Sequence, residues 1–399
     1  MTERIYAVVG AGRQGTAAAY DLARFGEARE VRLFDQALAI ARAAAARVNG
    51  LLQREVATAA ALEARDLDAS IAALRGASAV LSAAPYFLNA TLARAAVEAG
   101  ASFCDLGGNT AIVREELELD SLARRRGVSV VPDCGLAPGM ANTLAAHLID
   151  RIPRPRSVSI RCGGLPQRPR PPLDYQIVFS LEGLTNEYTG TALVLRKGRV
   201  AEVPALEELE EIEFPPPVGR CEAFTTSGST STCPYTYEGR LESYDYKTVR
   251  YPGHVARIRL LRDLGLLDAE PVEVPVAGGG TARVAPRELL HRLLGPRLTF
   301  ENEPDLVVLR VLASGQDEAG RALAIRHDLI DFFDPKTGFS AMERTTAFPA
   351  AIVCAYLASG AALRGALPLE RAVPGDFFLR ELARRGFSLE ETLSRTLAG

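Results

Sequence analysis

The residues whose spacing most clearly predicts chemistry come at the start of the chain, where the apolar run Ile5–Val9 leads into G-A-G-R-Q-G at positions 10–15. Gly10 permits a tight turn, and Gly12 lets the backbone approach a pyrophosphate. Gly15 allows the following helix to pack closely on the strand, and the N terminus of that helix offers free N–H groups to the phosphates. This pattern predicts a dinucleotide-binding loop, with its contacts from Gly10, Gly12, Arg13, Gln14 and Gly15.

A carboxylate narrows the choice of dinucleotide. Asp35 follows a second predicted strand, Val31–Phe34, at the spacing from the glycines where this fold places an acid on the ribose 2′-hydroxyl. Because such an acid repels a 2′-phosphate, the sequence predicts NAD as the cofactor over NADP. The alternative interpretation is a glycine-rich turn in an α/β domain that binds no nucleotide.

The elements that must position these residues alternate along residues 1–135. Alternating strands and helices predict a Rossmann-type doubly wound parallel sheet, with a ligand crevice at the carboxyl ends of its strands. The predicted helices are Gln14–Phe25, Ala37–Asn49 and Asn89–Ala99, and the further strands are Glu55–Thr58, Ile71–Leu74, Ala79–Ser82, Ser102–Asp105 and Ser129–Asp133. The crevice would therefore contain Ala83–Tyr86, Asp105–Asn109 and Asp133–Gly135.

A second domain begins where the composition changes. Proline-rich breakers near residues 150 and 170 precede β-rich segments, which predict an α+β domain with a large mixed sheet over residues 136–340. Its predicted β segments are Ser157–Cys162, Tyr175–Leu181, Ala192–Leu195, Thr248–Tyr251, Val272–Val276, Thr281–Val284, Leu306–Ala313 and Ile325–Phe333. The sequence predicts that residues 341–399 are helical again, with helices at Pro349–Ala361 and Phe377–Arg385. We expect this segment to pack back on the nucleotide domain.

Bulk properties exclude several classes of protein. Of 399 residues, 48% are hydrophobic and 24% charged, as in a globular protein, and the net charge of −3 gives no basic surface for nucleic acid. No apolar run approaches the ~18 residues of a membrane span, and the N-terminal run lacks the pattern of a signal peptide. We therefore expect a cytoplasmic protein without membrane contact. The six cysteines and four histidines form no metal-binding spacing, so neither a metal site nor a disulfide framework is expected.

Several motifs together resemble the saccharopine dehydrogenase-like family, and within it the lysine 6-dehydrogenase branch. The resemblance covers most of the chain, and G-L-A-P-G at 135–139 is its most specific single piece. The other motifs are the glycine loop, A-P-Y at 84–86, D-L-G-G at 105–108, R-C-G-G-L-P at 161–166, F-S-L-E-G at 179–183, D-Y-K-T at 245–248 and R-Y-P-G-H at 250–254.

This resemblance implies NAD(P)-linked oxidation of a C–N bond. In the lysine 6-dehydrogenase branch, the ε-amine of L-lysine is oxidised to an imine, and water then releases ammonia to leave allysine, which cyclises. In the saccharopine branch, a secondary amine joining lysine and glutamate units is made or broken. The resemblance also implies a homodimer or homotetramer, and it places Ala84, Pro85, Gly107 and Gly139 in the cofactor site.

One departure from the family pattern favours free lysine. Saccharopine-forming relatives carry an arginine just before the glycine of the segment matching 179–183, and this chain has Glu182 there. A glutamate would repel a glutamate-derived substrate arm and would instead receive an ammonium group. The alternative interpretation is that Glu182 is an ordinary surface or ion-paired residue.

The reaction requires a base, because lysine's amine has a pKa of about 10.4 and only the neutral amine can release hydride. The predicted catalytic residues are Asp105, His254 and Lys247, with His254 the better general base near neutrality. The predicted substrate-binding residues are Tyr86, Asp133, Arg161, Glu182 and Arg250, of which the two arginines would hold the substrate carboxylate. Each has a structural alternative: a helix cap or turn for the aspartates, a packed aromatic for Tyr86, and a buried structural role for His254.

Three functional hypotheses stay open at this point. They are an NAD-dependent lysine 6-dehydrogenase, a saccharopine-type dehydrogenase, and a non-catalytic NAD-binding protein on the same fold.

Overall fold

The computed structural model describes residues 4–178, 180–300 and 303–395, and it contains two large sheets. Phe179, part of one motif above, lies outside the described residues. The strands are β1 (Arg4–Val9), β2 (Ala28–Asp35), β3 (Ala57–Ala61), β4 (Ala79–Ser82), β5 (Ser102–Asp105), β6 (Ser129–Val131), β7 (Arg154–Pro166), β8 (Thr191–Arg196), β9 (Arg199–Pro204), β10 (Glu210–Phe214), β11 (Gly219–Phe224), β12 (Ser243–Arg250), β13 (Val272–Pro275), β14 (Thr281–Val284), β15 (Asp305–Gln316), β16 (Ala322–Phe332), β17 (Gly365–Ala366) and β18 (Glu390–Arg395).

The helices lie mainly between these strands. They are α1 (Arg13–Phe25), α2 (Leu38–Leu52), α3 (Leu67–Leu74), α4 (Asn89–Ala99), α5 (Thr110–Leu117), α6 (Asp120–Arg126), α7 (Met140–Asp150), α8 (Leu181–Glu187), α9 (Cys233–Thr236), α10 (His254–Asp263), α11 (Pro286–Leu298), α12 (Ala341–Ala358), α13 (Leu369–Ala372) and α14 (Gly375–Arg384). A short 3₁₀ helix covers Tyr86–Leu88. Within the described ranges, no helix is long and apolar enough to cross a membrane.

The first sheet is parallel, with the strand order β17-β6-β5-β4-β1-β2-β3. Its central strands are short apolar runs that are buried on both faces, because helices cover each side. The chain reverses its direction of winding between β1 and β4, which opens a crevice at the carboxyl ends of these strands. The predicted Rossmann-type sheet is confirmed.

The second sheet is mixed and has nine strands, with the main order β10-β11-β12-β7-β15-β16-β18 and with β8 and β9 attached beside β12. Its inner face joins a core cluster shared with the nucleotide domain, through residues such as Ile160, Cys162 and Tyr246. Its outer face has a separate cluster that includes Leu165, Val249 and Val308. The predicted large mixed sheet is therefore also confirmed, and β13 and β14 form a separate hairpin.

The last part of the chain connects the two sheets. Helix α12 packs against α1, β4 and β5 of the nucleotide domain, whereas β18 pairs with β16 of the second sheet. Arg385 forms a buried ion pair with Asp21 of α1, at 2.8 Å. Burial, opposed by the Arg385 charge, raises the pKa of Asp21 to about 6.

Two predicted strands are not strands in the structure, and the predicted helical segment 341–399 also contains strands β17 and β18. Ile71–Leu74 is the end of helix α3, not a strand, because Asp66 caps the helix by accepting a hydrogen bond from the Ala69 N–H at 3.0 Å. The described part of Tyr175–Leu181 forms no strand, and helix α8 begins at Leu181 with Ser180 as its cap. In both places a polar N-cap starts a helix, before or within an apolar segment that is too short to show a helical period.

Candidate active site

The glycine loop leaves room for a pyrophosphate at one position. A Cβ on Gly10, which has φ +91°, would lie 2.6 Å from the Ala83 carbonyl oxygen, and one on Gly15 would overlap the Gly10 carbonyl. A Cβ on Gly12 would meet no atom of the described residues within 4 Å. Gly10 and Gly15 are thus required by packing, while Gly12 keeps open the space in front of the α1 N terminus. This cradle fits a dinucleotide.

The two side chains predicted beside the phosphates reach to the start of α12. Arg13 Nε lies 2.6 Å from Glu343 Oε1, and Gln14 Nε2 lies 3.4 Å from the Met342 carbonyl. Gln14 Oε1 is buried and has no hydrogen-bond partner among the described residues. These contacts couple the nucleotide loop to the helix that joins the two domains, and Arg13 is charge-compensated by Glu343.

Asp35 is positioned at the end of β2 by two backbone donors. Its Oδ2 accepts the Ala11 N–H and its Oδ1 accepts the Ala37 N–H, both at 3.0 Å. The carboxylate therefore lies beside the glycine loop, where a nucleotide's ribose belongs in this fold.

The residues after β4 border the same crevice. Ala84 and Tyr86 are half-buried and Pro85 is exposed. A Cβ on Gly108, at φ +131°, would lie 3.2 Å from Tyr86 Cβ, so the turn after β5 packs directly on Tyr86. The predicted A-P-Y segment and the D-L-G-G turn are thereby brought together.

Asp105 occupies a different position from the one expected of a catalytic residue. It is 0% exposed, and its Oδ1 accepts the N–H groups of Gly107 at 2.6 Å and Asp133 at 3.1 Å. With no surface in the crevice, Asp105 cannot contact substrate. It instead holds the turns that follow β5 and β6 against each other, which corrects the predicted catalytic role.

Asp133 connects the two domains. Its Oδ2 accepts a hydrogen bond from the Ser231 hydroxyl, which belongs to the loop between β11 and α9. Asp133 has φ +61°, and its Oδ1 lies where a Cβ on Gly107 would stand. Burial, followed by the Asp105 charge, raises the pKa of Asp133 to about 7. The group therefore titrates near neutrality at the strand ends.

Gly139 is required by the backbone conformation of the turn before α7. Its φ is +140°, and a Cβ there would overlap the backbone of Gly135, so the G-L-A-P-G turn closes on itself before α7. Asn142, in the first turn of α7, accepts the Gly139 N–H at 3.0 Å and donates to the Thr230 carbonyl at 3.2 Å. The motif thus anchors the loop that carries Ser231.

Arg161 and Lys247 lie on the outer face of the second sheet, away from the nucleotide domain. They are side-by-side partners on β7 and β12, and both bind Glu210, with the Lys247 Nζ to Glu210 Oε2 distance being 2.7 Å. Arg161 Nη1 also lies 2.7 Å from Asp245 Oδ1. Because alternate side chains of a strand point to opposite faces, neither residue reaches the crevice. The predicted substrate role of Arg161 and catalytic role of Lys247 are therefore wrong.

Arg250 lies on the inner face and has spare hydrogen-bonding capacity. It is 2% exposed; its Nη1 donates to the Val249 carbonyl at 2.9 Å and its Nε reaches the Tyr188 hydroxyl at 3.4 Å. Its Cζ lies 4.7 Å from the Tyr175 ring centroid. Its Nη2 makes no hydrogen bond to the described residues and lies 3.8 Å from Glu187 Oε2. A guanidinium edge held in this way can receive a carboxylate.

His254 holds Tyr188 in place and has no free ring nitrogen. Its Nδ1 lies 3.1 Å from the Leu173 carbonyl, so Nδ1 carries the hydrogen, and its Nε2 accepts the Tyr188 hydroxyl at 2.9 Å. Burial, followed by the Arg250 charge, lowers the pKa of His254 to about 3. A neutral, 0% exposed ring with both nitrogens bonded cannot act as the predicted general base.

The carboxyl group beside Arg250 belongs to Glu187 and not to Glu182. Glu182 is exposed in the first turn of α8, and its contact with substrate stays a prediction. Glu187 ends the same helix, half-buried, and burial, opposed by the Arg250 charge, raises its pKa to about 7. The sequence reasoning missed Glu187, Tyr188 and Ser231; the 3.6-residue period of α8 places 182 and 187 on different faces and would have separated them.

Comparison with known families assigns both halves of the chain. The model described as "Saccharopine dehydrogenase NADP binding domain" matches residues 6–131, and that described as "Saccharopine dehydrogenase C-terminal domain" matches residues 135–387. The chain belongs to the saccharopine dehydrogenase family. This membership confirms the family resemblance, and residues 6–131 match the nucleotide-binding domain of the family. Membership of the lysine 6-dehydrogenase branch remains a prediction.

Individual members of the saccharopine dehydrogenase family are distant. The chain is 26% identical over 200 residues to the NADP⁺, L-glutamate-forming saccharopine dehydrogenase of Pyricularia oryzae, covering 48% of this chain and 44% of that one. The enzyme of the same name from Schizosaccharomyces pombe is 26% identical over 198 residues, covering 47% and 43%. The matched region is thus less than half of each relative. The apo L-glutamate-forming enzyme of Saccharomyces cerevisiae has the same fold, with a TM-score of 0.78, 20% identity and coverage of 98% and 100%.

Proposed function

We propose that this family member is an NAD-dependent dehydrogenase that oxidises the side-chain amine of L-lysine, giving allysine, which cyclises, with release of ammonia. The observation that carries this proposal is the pairing of Arg250 with Glu187 on the inner face of the second sheet, at 3.8 Å. One guanidinium beside one carboxyl matches the α-carboxylate and α-ammonium of a single amino acid. Saccharopine would bring three carboxylates to this region.

Two other residues near the strand ends, Asp133 and Tyr86, also favour an amine substrate. Asp133 has a pKa of about 7, so it is ionised over the alkaline range in which lysine's amine loses its proton. Asp133 is buried behind the strand ends, where its negative charge would stabilise the ε-ammonium without contacting it. NAD⁺, when bound, supplies the hydride acceptor. Tyr86 borders the same crevice and suits the aliphatic part of lysine.

Asp35 supports NAD as the cofactor. Its Oδ2 accepts the Ala11 N–H of the glycine loop, so the carboxylate lies where this fold places the ribose, and its charge opposes a 2′-phosphate. The family model and the fungal relatives carry NADP in their names, so the choice of NAD is specific to this chain and rests on Asp35.

The second candidate is a saccharopine dehydrogenase, which makes or breaks the secondary amine between lysine and glutamate units. The names of the curated relatives favour it over free lysine. The exposed position of Glu182 also weakens the charge argument that the sequence raised against a glutamate arm, because solvent screens an exposed charge.

A substrate comparison decides between these candidates. NADH or NADPH absorbance would be followed with L-lysine, L-ornithine and saccharopine, each with NAD⁺ and NADP⁺, between pH 7 and pH 10. The proposal expects NADH formation from L-lysine alone, rising with pH. Turnover of saccharopine without turnover of lysine would establish the second candidate, and binding of NAD without turnover of any amine would favour a non-catalytic nucleotide-binding role.

We also propose that the protein forms a homodimer or homotetramer. The hairpin β13–β14 leaves the side chains of Val272, Val274 and Val276 exposed in the single chain, and such apolar surface is usual where subunits meet. Light scattering during size-exclusion chromatography would give the mass, and a monomer at micromolar concentration would refute this proposal.

A further inference from the structure

Three buried carboxyl groups lie behind the crevice without a cation. Asp105 at the end of β5 is 0% exposed, Glu116 on α5 is 1% exposed, and Asp133 is 3% exposed. Among the described residues, no hydrogen bond or ion pair joins any of the three to a lysine, arginine or histidine. A buried charge without a partner is strongly disfavoured, so the protonation states of these three carboxyl groups need an explanation.

Several oxygen atoms of these carboxyl groups lack a hydrogen-bond donor among the described residues. Asp105 Oδ1 accepts two backbone N–H groups, whereas Asp105 Oδ2 and both carboxyl oxygens of Glu116 have no donor. The side chains of Asp105 and Glu116 are within hydrogen-bonding reach of each other. Two ionised carboxylates have only acceptors and would repel each other, whereas one proton between them satisfies both sides.

We propose that Glu116 is a protonated carboxylic acid that donates its hydrogen to Asp105 Oδ2 and acts as a positioning residue for the site. Asp105 keeps the negative charge, and its other oxygen holds the N–H groups of Gly107 and Asp133. Glu116 therefore fixes Asp133 through Asp105 without touching substrate. The part of the inference that concerns the reaction rests on the proposed function; the protonation does not.

The surrounding charges favour the proton on Glu116. Burial, followed by the charge of Asp105, raises the pKa of Glu116 to about 12. Asp133 and Glu115 act on Glu116 in the same direction, while Glu370 of α13 acts on Asp133. Ser231 is the one hydroxyl donor to Asp133 among the described residues. The Asp105–Glu116 pair thus carries one negative charge, not two.

Infrared spectroscopy tests the protonation directly on the full chain. At pH 9, where Asp133 is ionised, the wild-type protein should show the carbonyl stretch of one protonated carboxyl group, and this band should shift when glutamate is ¹³C-labelled. Glu116→Gln should abolish the band, and Glu118→Gln, which changes an exposed residue of the same region, should retain it. A band that is absent from wild type, or that does not respond to labelled glutamate, would overturn the proposal even if the variant failed to fold.

Kinetics test the positioning role. The glutamine amide can still donate to Asp105, so Glu116→Gln should keep kcat within about threefold, whereas Glu116→Leu should lower kcat about tenfold or more with little change in KM for NAD. Equal loss in both variants would refute positioning by hydrogen bonding. If no amine is oxidised by wild type, the proposed function fails, while the infrared result still decides the state of Glu116.

Discussion

Ser231 of the second domain donates a hydrogen bond to Asp133 of the nucleotide domain, and this contact joins the two sheets at the candidate site. Asp133 stands at the carboxyl end of the parallel sheet, and Ser231 lies in a loop that Asn142 holds through the Thr230 carbonyl. This hydrogen bond therefore joins a strand end of one domain to a loop of the other. The pKa of Asp133 thus depends on a donor from the other domain, because the Ser231 hydroxyl favours the ionised carboxyl.

Ser231→Ala should shift the acidic limb of the pH profile to higher pH. The Ser231 hydroxyl stabilises ionised Asp133, so its loss raises the pKa of that carboxyl above its value of about 7. A hydrogen bond to a charged group contributes about 1.5–3 kcal/mol, which corresponds to a shift of about one to two pH units. The measurement is kcat/KM for lysine against pH. Ser227→Ala, which removes a donor to the Asn186 carbonyl, is the matched control and should leave the limb in place.

Gly12→Ala should separate nucleotide binding from folding. In the part of the chain that the structure describes, a Cβ at Gly12 meets no atom within 4 Å, so the melting temperature should stay close to that of wild type. The methyl group would instead enter the space for the pyrophosphate. We expect NAD affinity to fall by about tenfold or more, measured by calorimetry. Gly15→Ala should instead unfold the loop, because its Cβ overlaps the Gly10 carbonyl. An unchanged NAD affinity in Gly12→Ala would show that the phosphates do not bind at this loop.

The nucleotide half of the fold could be predicted from sequence because its signals are local. The spacing of Gly10, Gly12 and Gly15 fixes a turn, and Asp35 follows a strand whose end is clear. Each of these conclusions depends on a few consecutive residues.

The substrate-binding side chains of the second domain could not be predicted as well. In the D-Y-K-T and R-Y-P-G-H motifs, polar residues alternate along one strand, and sequence alone does not say which alternate set faces the crevice. Lys247 points outward and Arg250 inward for this reason. Glu116 was missed because R-E-E at 114–116 resembles a solvated helix face, and its burial arises where α5 packs against α4 and β6.

Asp35→Ser should change the preference between the two cofactors. The variant keeps a short polar side chain at the ribose and removes the charge that opposes a 2′-phosphate. We expect kcat/KM for NAD⁺ to fall and that for NADP⁺ to rise, so that their ratio changes by about tenfold or more, since one charge repulsion contributes about 1–2 kcal/mol. Asp66→Ser, at the cap of α3, controls for general loss of an acid. An unchanged ratio would mean that Asp35 does not face the ribose.

Arg250 and Arg161 allow a matched test of which face of the second sheet binds substrate. Arg250→Lys keeps the positive charge but loses the planar fork that a carboxylate prefers, so KM for lysine should rise about tenfold or more, with KM for NAD⁺ unchanged. Arg161→Lys lies on neighbouring strand β7, but its side chain faces Glu210 and Asp245 on the outer face. It should lower the melting temperature slightly and leave both KM values as in wild type. A rise in KM for lysine in Arg161→Lys alone would reverse the assignment of the two faces, because the alternation along paired strands cannot place both residues in the crevice.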